Sequence, residues 1–130
     1  VRYRGGTFPF ADKAFDWTFS NAVVEHVGNE AAQLHFINEL MRVSGRAFFT
    51  TPAKYFPVES HTNVILLHWN NAVFYPFCRS WYPWATPESL SLLSCSRLEK
   101  LMRASNARHF SIHKHRLLGW PMTFTVVCHD

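Results

Sequence analysis

The spacing of apolar side chains changes along the first half of the chain and predicts a strand, a helix and a second strand. Residues 15–19 alternate with period two and are aromatic or β-branched, as in a strand. Residues 29–43 carry apolar side chains at helical spacing, with Asn29 as N-cap and Gly45 as the stop. Residues 46–51 form an apolar run that ends at Pro52. Strand, helix and strand with short joints indicate a right-handed crossover in a parallel α/β sheet, with helices on both faces.

The second half of the chain combines a long aromatic connection with further helix and strand signals. Residues 53–85 show no regular period, and a connection of this length predicts a functional element such as a lid. Residues 86–88 resemble a short helix start, and residues 96–99 have a capping-box pattern. Two strands at residues 109–115 and 122–128 follow each other directly and predict a C-terminal antiparallel hairpin.

The aromatic residues of this connection leave several interpretations open. They suit an acceptor-binding lid, a membrane-surface patch, a partner interface or ordinary core filling. They are Trp69, Phe74, Tyr75, Phe77, Trp81, Tyr82 and Trp84.

Composition narrows the class of protein. The 130 residues are 48% hydrophobic and 16% aromatic, which excludes a disordered tail and a low-complexity chain. The length predicts one domain over residues 1–130 with a substantial core. Three widely spaced cysteines do not make a disulfide framework and favour a reducing, cytoplasmic setting. We expect no transmembrane segment, because no apolar run approaches the roughly 18 residues of a membrane span.

The net charge gives little information about function. It is +4, from 13 basic and 9 acidic residues that are scattered along the chain. A nucleic-acid-binding surface requires a basic patch, and the nearest one, at residues 108–116, holds only a few cations among histidines. We therefore expect no nucleic-acid partner, and a nucleic-acid-binding fragment is the third of three hypotheses.

Several linked motifs carry a family resemblance. Residues 9–27 read PFADKAFDWTFSNAVVEHV, which on spacing alone describes a turn, a buried strand and a helix cap. The same run resembles the PF-x-D-x-x-FD and S-N-x-x-x-E-H-V block of class I S-adenosylmethionine-dependent methyltransferases of the type 11 group. The resemblance continues in ELMRV at 39–43, FFTTP at 48–52 and YFPVESHT at 55–62, and it covers about residues 1–70.

This resemblance implies a partial Rossmann-like methyltransferase fold that begins at the family's third strand, near residues 1–6. The family grips its cofactor through a glycine-rich turn, and no G-x-G occurs in this sequence. The segment Gly5-Gly6-Thr7 stands where the family has G-D-x. The chain is therefore expected to be a fragment that is inactive alone, from a parent that methylates a small-molecule or sugar-type acceptor.

Site residues follow from the resemblance, residue by residue. Thr7 and Phe8 match the segment that lies against the adenine of S-adenosylmethionine. Ser20 and Asn21 match the loop beside the methionine moiety. His26 faces the entry of the acceptor, where it serves either as a general base or as a structural hydrogen-bond partner near a helix start.

A metal site is not expected from the sequence. Glu25 and His26 resemble the pair in metal-assisted members of the superfamily, whose further upstream carboxylate is here Asn21 or Ala22. His109, His113 and His115 share one face of a predicted strand, which makes them its solvent-exposed face. The second hypothesis for the chain is a non-catalytic interaction module that forms homo-oligomers through its sheet edge and aromatic segment.

Overall fold

The computed structural model describes residues 6–130, and its four strands form one mixed sheet. The strand predicted for residues 1–6 lies outside the described residues, except for Gly6. The strands are β1 (Thr18–Asn21), β2 (Arg46–Pro52), β3 (His109–Leu117) and β4 (Trp120–His129), in the spatial order β1-β2-β4-β3. β1 and β2 are parallel, while β4 is antiparallel to both β2 and β3. The predicted parallel pair and the C-terminal hairpin are thus confirmed.

β1 begins later than the sequence pattern predicts. Residues 15–17 lie outside the sheet, and the strand starts at Thr18. The backbone N–H of Phe15 donates to the carbonyl of Val43 at 3.0 Å, so the chain is tied to the end of the first helix before it enters the sheet. Trp17 is exposed beside this contact. The predicted strand is therefore present only in its last two residues, because the chain bends at Phe15 and Asp16.

Helix α1 spans Glu30–Ser44 and connects the two parallel strands. Asn29 caps it, because its side-chain oxygen accepts a hydrogen bond from Ala32 N at 3.0 Å. The helix ends at Gly45, which has φ 75° and donates its N–H to Met41 O. The left-handed φ favours glycine at this position, whereas the atom nearest to an added Cβ, Nζ of Lys13, is the end of a flexible side chain that can move aside.

The main hydrophobic core lies between the sheet and two helices, α1 and α3 (Cys95–Ala104). Phe110 and Ile112 of β3 pack against this core, whereas the histidines of the same strand are exposed, as predicted. On the other face, Phe19 of β1 stacks on Phe48 but keeps 68% of its surface exposed. The buried members of the main core include Phe36, Ile37, Leu40, Met41, Ala47, Phe49, Leu98, Leu101, Met102, Phe124, Val126 and Cys128.

Two predicted helix starts differ from the structure. The N-cap of α3 is Ser94, whose hydroxyl accepts from Arg97 N at 3.3 Å, and the expected capping box at residues 96–99 lies inside the helix. Residues 86–88 do not begin a helix, and residues 87–89 form a turn instead. The hydroxyl of Ser89 accepts from Thr86 N at 2.8 Å, and this local bond satisfies the backbone without a helix.

The connection predicted to be irregular contains a helix, α2 (Asn71–Trp81). Asn70 caps this helix through Ala72 N at 2.9 Å. Pro76 lies inside this helix and removes one backbone hydrogen-bond donor. Because proline disfavours a helix interior, the sequence pattern did not predict a helix here. Phe74 and Cys78 lie one turn apart on the same face and are buried. They belong to a second hydrophobic cluster with Val64, Ala85, Leu90 and Leu92.

No helix within residues 6–130 combines the length and the apolar character needed to cross a bilayer.

Candidate functional site

An open apolar groove of about 460 Å³ runs along the outer edge of β1, which pairs only with β2 among the described residues. Three of the four residues predicted to contact the cofactor line this groove, namely Phe8, Ser20 and Asn21. Thr7 is exposed next to Phe8 and lies outside the lining. The other lining residues are Phe10, Phe15, Trp17, Thr18, Phe19, Val23, Phe36, Leu40 and Val43.

The wall of the groove that contains Phe8 is held by an ion pair on α1. Glu39 accepts from Phe8 N at 2.6 Å and from the guanidinium of Arg42 at 2.8 Å. Arg42 in turn donates to Phe8 O at 3.0 Å, to Phe10 O at 2.9 Å and to Asp12 Oδ1 at 2.6 Å. The hydrogen bonds from Arg42 lower the pKa of the Glu39 carboxyl. These two residues of the ELMRV motif were not predicted to have a role, and they position the segment that carries Phe8.

The end of β1 presents polar atoms to the groove. The hydroxyl of Ser20 is buried and has no hydrogen-bond partner within residues 6–130. Asn21 is exposed, and its Oδ1 accepts from Thr50 Oγ1 at 2.5 Å. Thr50 also accepts from Ala22 N through its carbonyl at 3.1 Å. These groups lie at the carboxyl end of a parallel strand pair, which is where α/β sheets bind ligands.

His26 lies close to a second histidine in the tertiary structure. His26 ends the 3₁₀ turn Val24–His26, which follows β1, and its Nε2 lies 2.9 Å from Nε2 of His61. Its Nδ1 lies 2.8 Å from Ser89 O, and because a carbonyl only accepts, this nitrogen carries the proton. His61 belongs to the YFPVESHT motif, whose spacing gave no sign of this contact.

The buried carboxylate of Glu25 is the third member of this cluster. Glu25 is fully buried, and its Oε2 accepts from Thr51 Oγ1 at 2.9 Å. Its Oε1 lies 3.9 Å from Nε2 of His26 and 3.9 Å from Nε2 of His61. Within residues 6–130 this oxygen has no hydrogen-bond partner. Burial raises the pKa of the Glu25 carboxyl above its ordinary value.

A second buried glutamate fixes the orientation of the His61 ring. Glu59 accepts from Nδ1 of His61 at 2.6 Å, and from the amide and the hydroxyl of Thr62 at 2.7 Å each. Burial alone would raise the pKa of Glu59, but these hydrogen bonds outweigh it and lower the pKa to about 2. The same carboxylate raises the pKa of His61. The His61 ring is therefore fixed with Nδ1 toward Glu59 and Nε2 toward His26.

A smaller cavity of about 300 Å³ lies at the end of β2, under residues 56–60. Its walls are mainly apolar and include Phe56, Val58, Leu92 and Met122, with Glu59 at one side. His68 also lines it and donates from Nε2 to Phe56 O, while burial lowers its pKa. Residues of the 53–85 connection thus form most of this cavity.

Comparison with known proteins places the fold. No protein-family model and no curated protein sequence matches the chain. Solved structures do match. An S-adenosylmethionine-dependent methyltransferase from Methanosarcina mazei is 14% identical, with a TM-score of 0.56 over 94% of this chain and 61% of that chain. A possible histamine N-methyltransferase from Thermotoga maritima is 14% identical, with a TM-score of 0.58 over 95% and 60%.

A possible exported protein from Bordetella parapertussis is 8% identical, with a TM-score of 0.59 over 93% of this chain and 40% of that chain. The chain therefore spans between 40% and 61% of these three solved proteins. At such identities the likeness concerns the fold. The chain has the mixed α/β architecture of part of a Rossmann-like methyltransferase fold, as the sequence predicts.

Proposed function

We propose that this chain is the C-terminal part of a class I methyltransferase of the type 11 group, and that it contributes one side of an S-adenosylmethionine site. The observation that carries the proposal is the convergence of Phe8, Ser20 and Asn21. These residues were selected from a family motif, and they line a single groove at the carboxyl end of β1. The shared fold of solved S-adenosylmethionine-dependent methyltransferases supports the same assignment.

The groove residues fit part of such a ligand. Phe8 offers an aromatic surface for a purine ring, and Thr7 lies exposed beside it. The buried Ser20 hydroxyl has no partner within residues 6–130, and the Asn21 amide is exposed. Both are suited to the polar amino-acid end of the ligand. The volume of about 460 Å³ is typical of small-molecule sites.

In the proposed reaction, this chain's residues mainly hold and orient. S-adenosylmethionine supplies a methyl group on a sulfonium, and its transfer depends on alignment more than on proton transfer. His26 lies on the acceptor side, and its Nε2 is the ring atom with a lone pair because Nδ1 donates to Ser89. Residues 53–85 act as a lid, and the cavity of about 300 Å³ beneath them receives a small acceptor.

The glycine-rich turn that grips the cofactor belongs, in this proposal, to residues encoded before Val1. Calorimetry tests this by comparing residues 1–130 with the product extended by the preceding codons of the gene. We expect S-adenosylmethionine to bind the extended protein at least about 100-fold more tightly, because the turn brings backbone donors to the ligand. Tight binding by residues 1–130 alone would contradict the proposal.

The groove itself is tested with Ser20→Ala and Asn21→Ala in the extended protein. Each substitution removes a polar contact to the ligand, so we expect affinity to fall about 10-fold, the equivalent of one hydrogen bond. Ser80→Ala and Asn71→Ala are matched controls, since both residues are exposed on α2 away from the groove. Equal affinities for all four variants would rule out this groove as the cofactor site.

The interaction-module hypothesis is favoured by a specific observation. Phe19 and Trp17 are 68% and 51% exposed along the outer edge of β1, and such apolar surfaces promote association. In that case residues 1–130 would show a concentration-dependent mass in light scattering, which Phe19→Ser would reduce. A constant monomer mass together with cofactor binding by the extended protein would reject it.

A further inference from the structure

Two imidazole nitrogens face each other at the carboxyl ends of β1 and β2. Nε2 of His26 and Nε2 of His61 are 2.9 Å apart. The Nδ1 atoms of both rings donate elsewhere, to Ser89 O at 2.8 Å and to Glu59 Oε1 at 2.6 Å. Each neutral ring therefore presents a lone pair at Nε2. Two lone pairs at this distance repel each other unless a proton or a metal ion lies between them, and a proton shared by the two rings would still leave Glu25 Oε1 3.9 Å away without a donor.

Glu25 supplies an independent sign of a cation site. Its carboxylate is fully buried, and Oε1 has no hydrogen-bond partner within residues 6–130. Thr51 fixes the other oxygen, and Ser91 N donates to the Glu25 carbonyl at 2.7 Å, so the side chain is held in place. Oε1 faces the two Nε2 atoms at 3.9 Å each. A buried carboxylate oxygen without a donor is unfavourable, and a bound cation would compensate it.

We propose that Glu25 Oε1, His26 Nε2 and His61 Nε2 bind one divalent transition-metal ion, with Zn²⁺ as the representative of the class. Two imidazoles and one carboxylate are ligands that Zn²⁺ and its first-row neighbours accept, whereas Ca²⁺ and Mg²⁺ prefer oxygen alone. Bonds of about 2.1 Å in a tetrahedral arrangement separate ligand atoms by roughly 3.4 Å. The observed separations of 2.9 and 3.9 Å lie on either side of that value.

The surroundings of the three ligands suit a metal ion. Glu59 accepts from Nδ1 of His61, which is the carboxylate–histidine–metal arrangement that orients ligands in metalloproteins. The Ser89 carbonyl does the same for His26. The side chains of His26 and His61 are 33% and 20% exposed, so an ion can enter from solvent. A fourth position then stays open to water, as in catalytic rather than structural zinc sites.

This site differs from the expectation drawn from the sequence, which weighed Glu25 and His26 with an upstream carboxylate and, separately, the three histidines of β3. His61 lies 35 residues after His26 and comes from another loop. The metal also competes with the general-base role proposed for His26, because both use the lone pair on Nε2. His26 therefore cannot bind a metal ion and act as a general base through Nε2 at the same time.

The site can be tested on residues 1–130 without S-adenosylmethionine, so the result does not depend on the proposed methyltransferase function. The metal-free chain is titrated with ZnCl₂ in competition with a chromophoric chelator, and retained zinc is counted by elemental analysis. We expect one ion per chain, and a loss of affinity of at least about 10-fold in His26→Gln and His61→Gln. Glu59→Gln should weaken binding about 10- to 100-fold through the orientation of His61.

His113→Gln is the matched control, because this histidine is exposed on β3. It should bind zinc as the wild type does. Equal affinities in all the histidine variants, or no retained zinc, would overturn the proposal. Should a variant fail to fold, ¹⁵N-histidine spectra of the wild type decide the question. Zinc must then shift the Nε2 signals of His26 and His61, and a titration that leaves both unchanged rejects the site.

Discussion

Two buried glutamates of this chain lie in opposite surroundings. Glu39, on α1, is 6% exposed, and both of its oxygens accept from Arg42. Glu25, after β1, is 0% exposed, and only one of its oxygens accepts a hydrogen bond, from Thr51. The hydrogen bonds of Arg42 lower the pKa of Glu39, while burial raises the pKa of Glu25.

The difference separates the structural role of Glu39 from the metal-binding role proposed for Glu25. Glu39 and Arg42 form a charge-assisted pair that also hydrogen-bonds to the backbone of Phe8 and Phe10 and so holds this segment against α1. Glu25 has no arginine or lysine within bonding distance among the described residues, and its free oxygen faces two imidazoles. Perturbed and incompletely paired groups of this kind are typical of functional sites.

The largest expected effect concerns ligand-induced stability. At a free Zn²⁺ concentration of about 100 times Kd, the free energy of unfolding should rise by about 2.7 kcal/mol, because the ion binds only the folded arrangement. Glu25→Gln should lose most of this gain, whereas Glu39→Gln should keep it. Thermal unfolding with and without zinc measures both. An equal gain in the two variants would show that Glu25 contributes no more to zinc binding than Glu39 does.

The next effect is on the stability of the metal-free chain. Glu39→Gln should lower the free energy of unfolding by about 2 kcal/mol, since hydrogen bonds to a charged partner are lost and Arg42 loses its main anion. Urea unfolding provides the measurement. Glu99→Gln is the matched control, because Glu99 pairs with Arg103 at 2.7 Å on an exposed helix surface. It should cost less than about 0.5 kcal/mol.

Glu25→Gln in the metal-free chain should have a smaller effect, within about 1 kcal/mol of the wild type and of either sign. The substitution removes a buried charge that no fixed cation compensates, and the new amide can donate to a lone pair on His26 or His61. Urea unfolding in the presence of a chelator measures it. A loss as large as that of Glu39→Gln would mean that Glu25 is a structural anion after all.

The smallest effect is a dependence on pH. The folded-state pKa of Glu39 lies below its ordinary value of 4.5, under the influence of Arg42 and, more weakly, His35. A depressed carboxyl pKa contributes stability that is complete above pH 4.5 and disappears as the pH falls through the folded-state value. The stability difference between wild type and Glu39→Gln should therefore shrink below pH 4.5. Unfolding curves recorded from about pH 3 to about pH 7 span the ordinary carboxyl pKa and measure this dependence. A stability difference that stays constant over this range would contradict the prediction.

Much of the fold follows from local signals. Asn29 and Gly45 mark the ends of α1 because a side-chain cap and a left-handed glycine are properties of a few neighbouring residues. The direct succession of two apolar runs around Gly119 indicated the β3–β4 hairpin for the same reason. Helix α2 was missed because Pro76 argues locally against a helix, and only the burial of Phe74 and Cys78 in the second cluster outweighs it.

The candidate cofactor groove was accessible from the sequence only through the family resemblance, which named Thr7, Phe8, Ser20 and Asn21. Composition and periodicity do not bring Phe8 next to Ser20. The structure holds Phe8 in the groove wall through Glu39 and Arg42, which lie 31 and 34 residues later in the sequence. Thr7, the fourth residue named by the resemblance, is adjacent to Phe8 and lies outside the lining of the groove.

The sequence by itself determined helix α1, the parallel pair and the hairpin, because these depend on periods and caps within a few turns of chain. It did not determine the cluster of Glu25, His26 and His61. Their Nε2 and Oε1 atoms meet only after residues separated by 35 positions are folded onto one sheet edge. Which ring nitrogen keeps a lone pair is decided by Ser89 and Glu59, and hydrogen bonds between distant segments exist only in the tertiary structure.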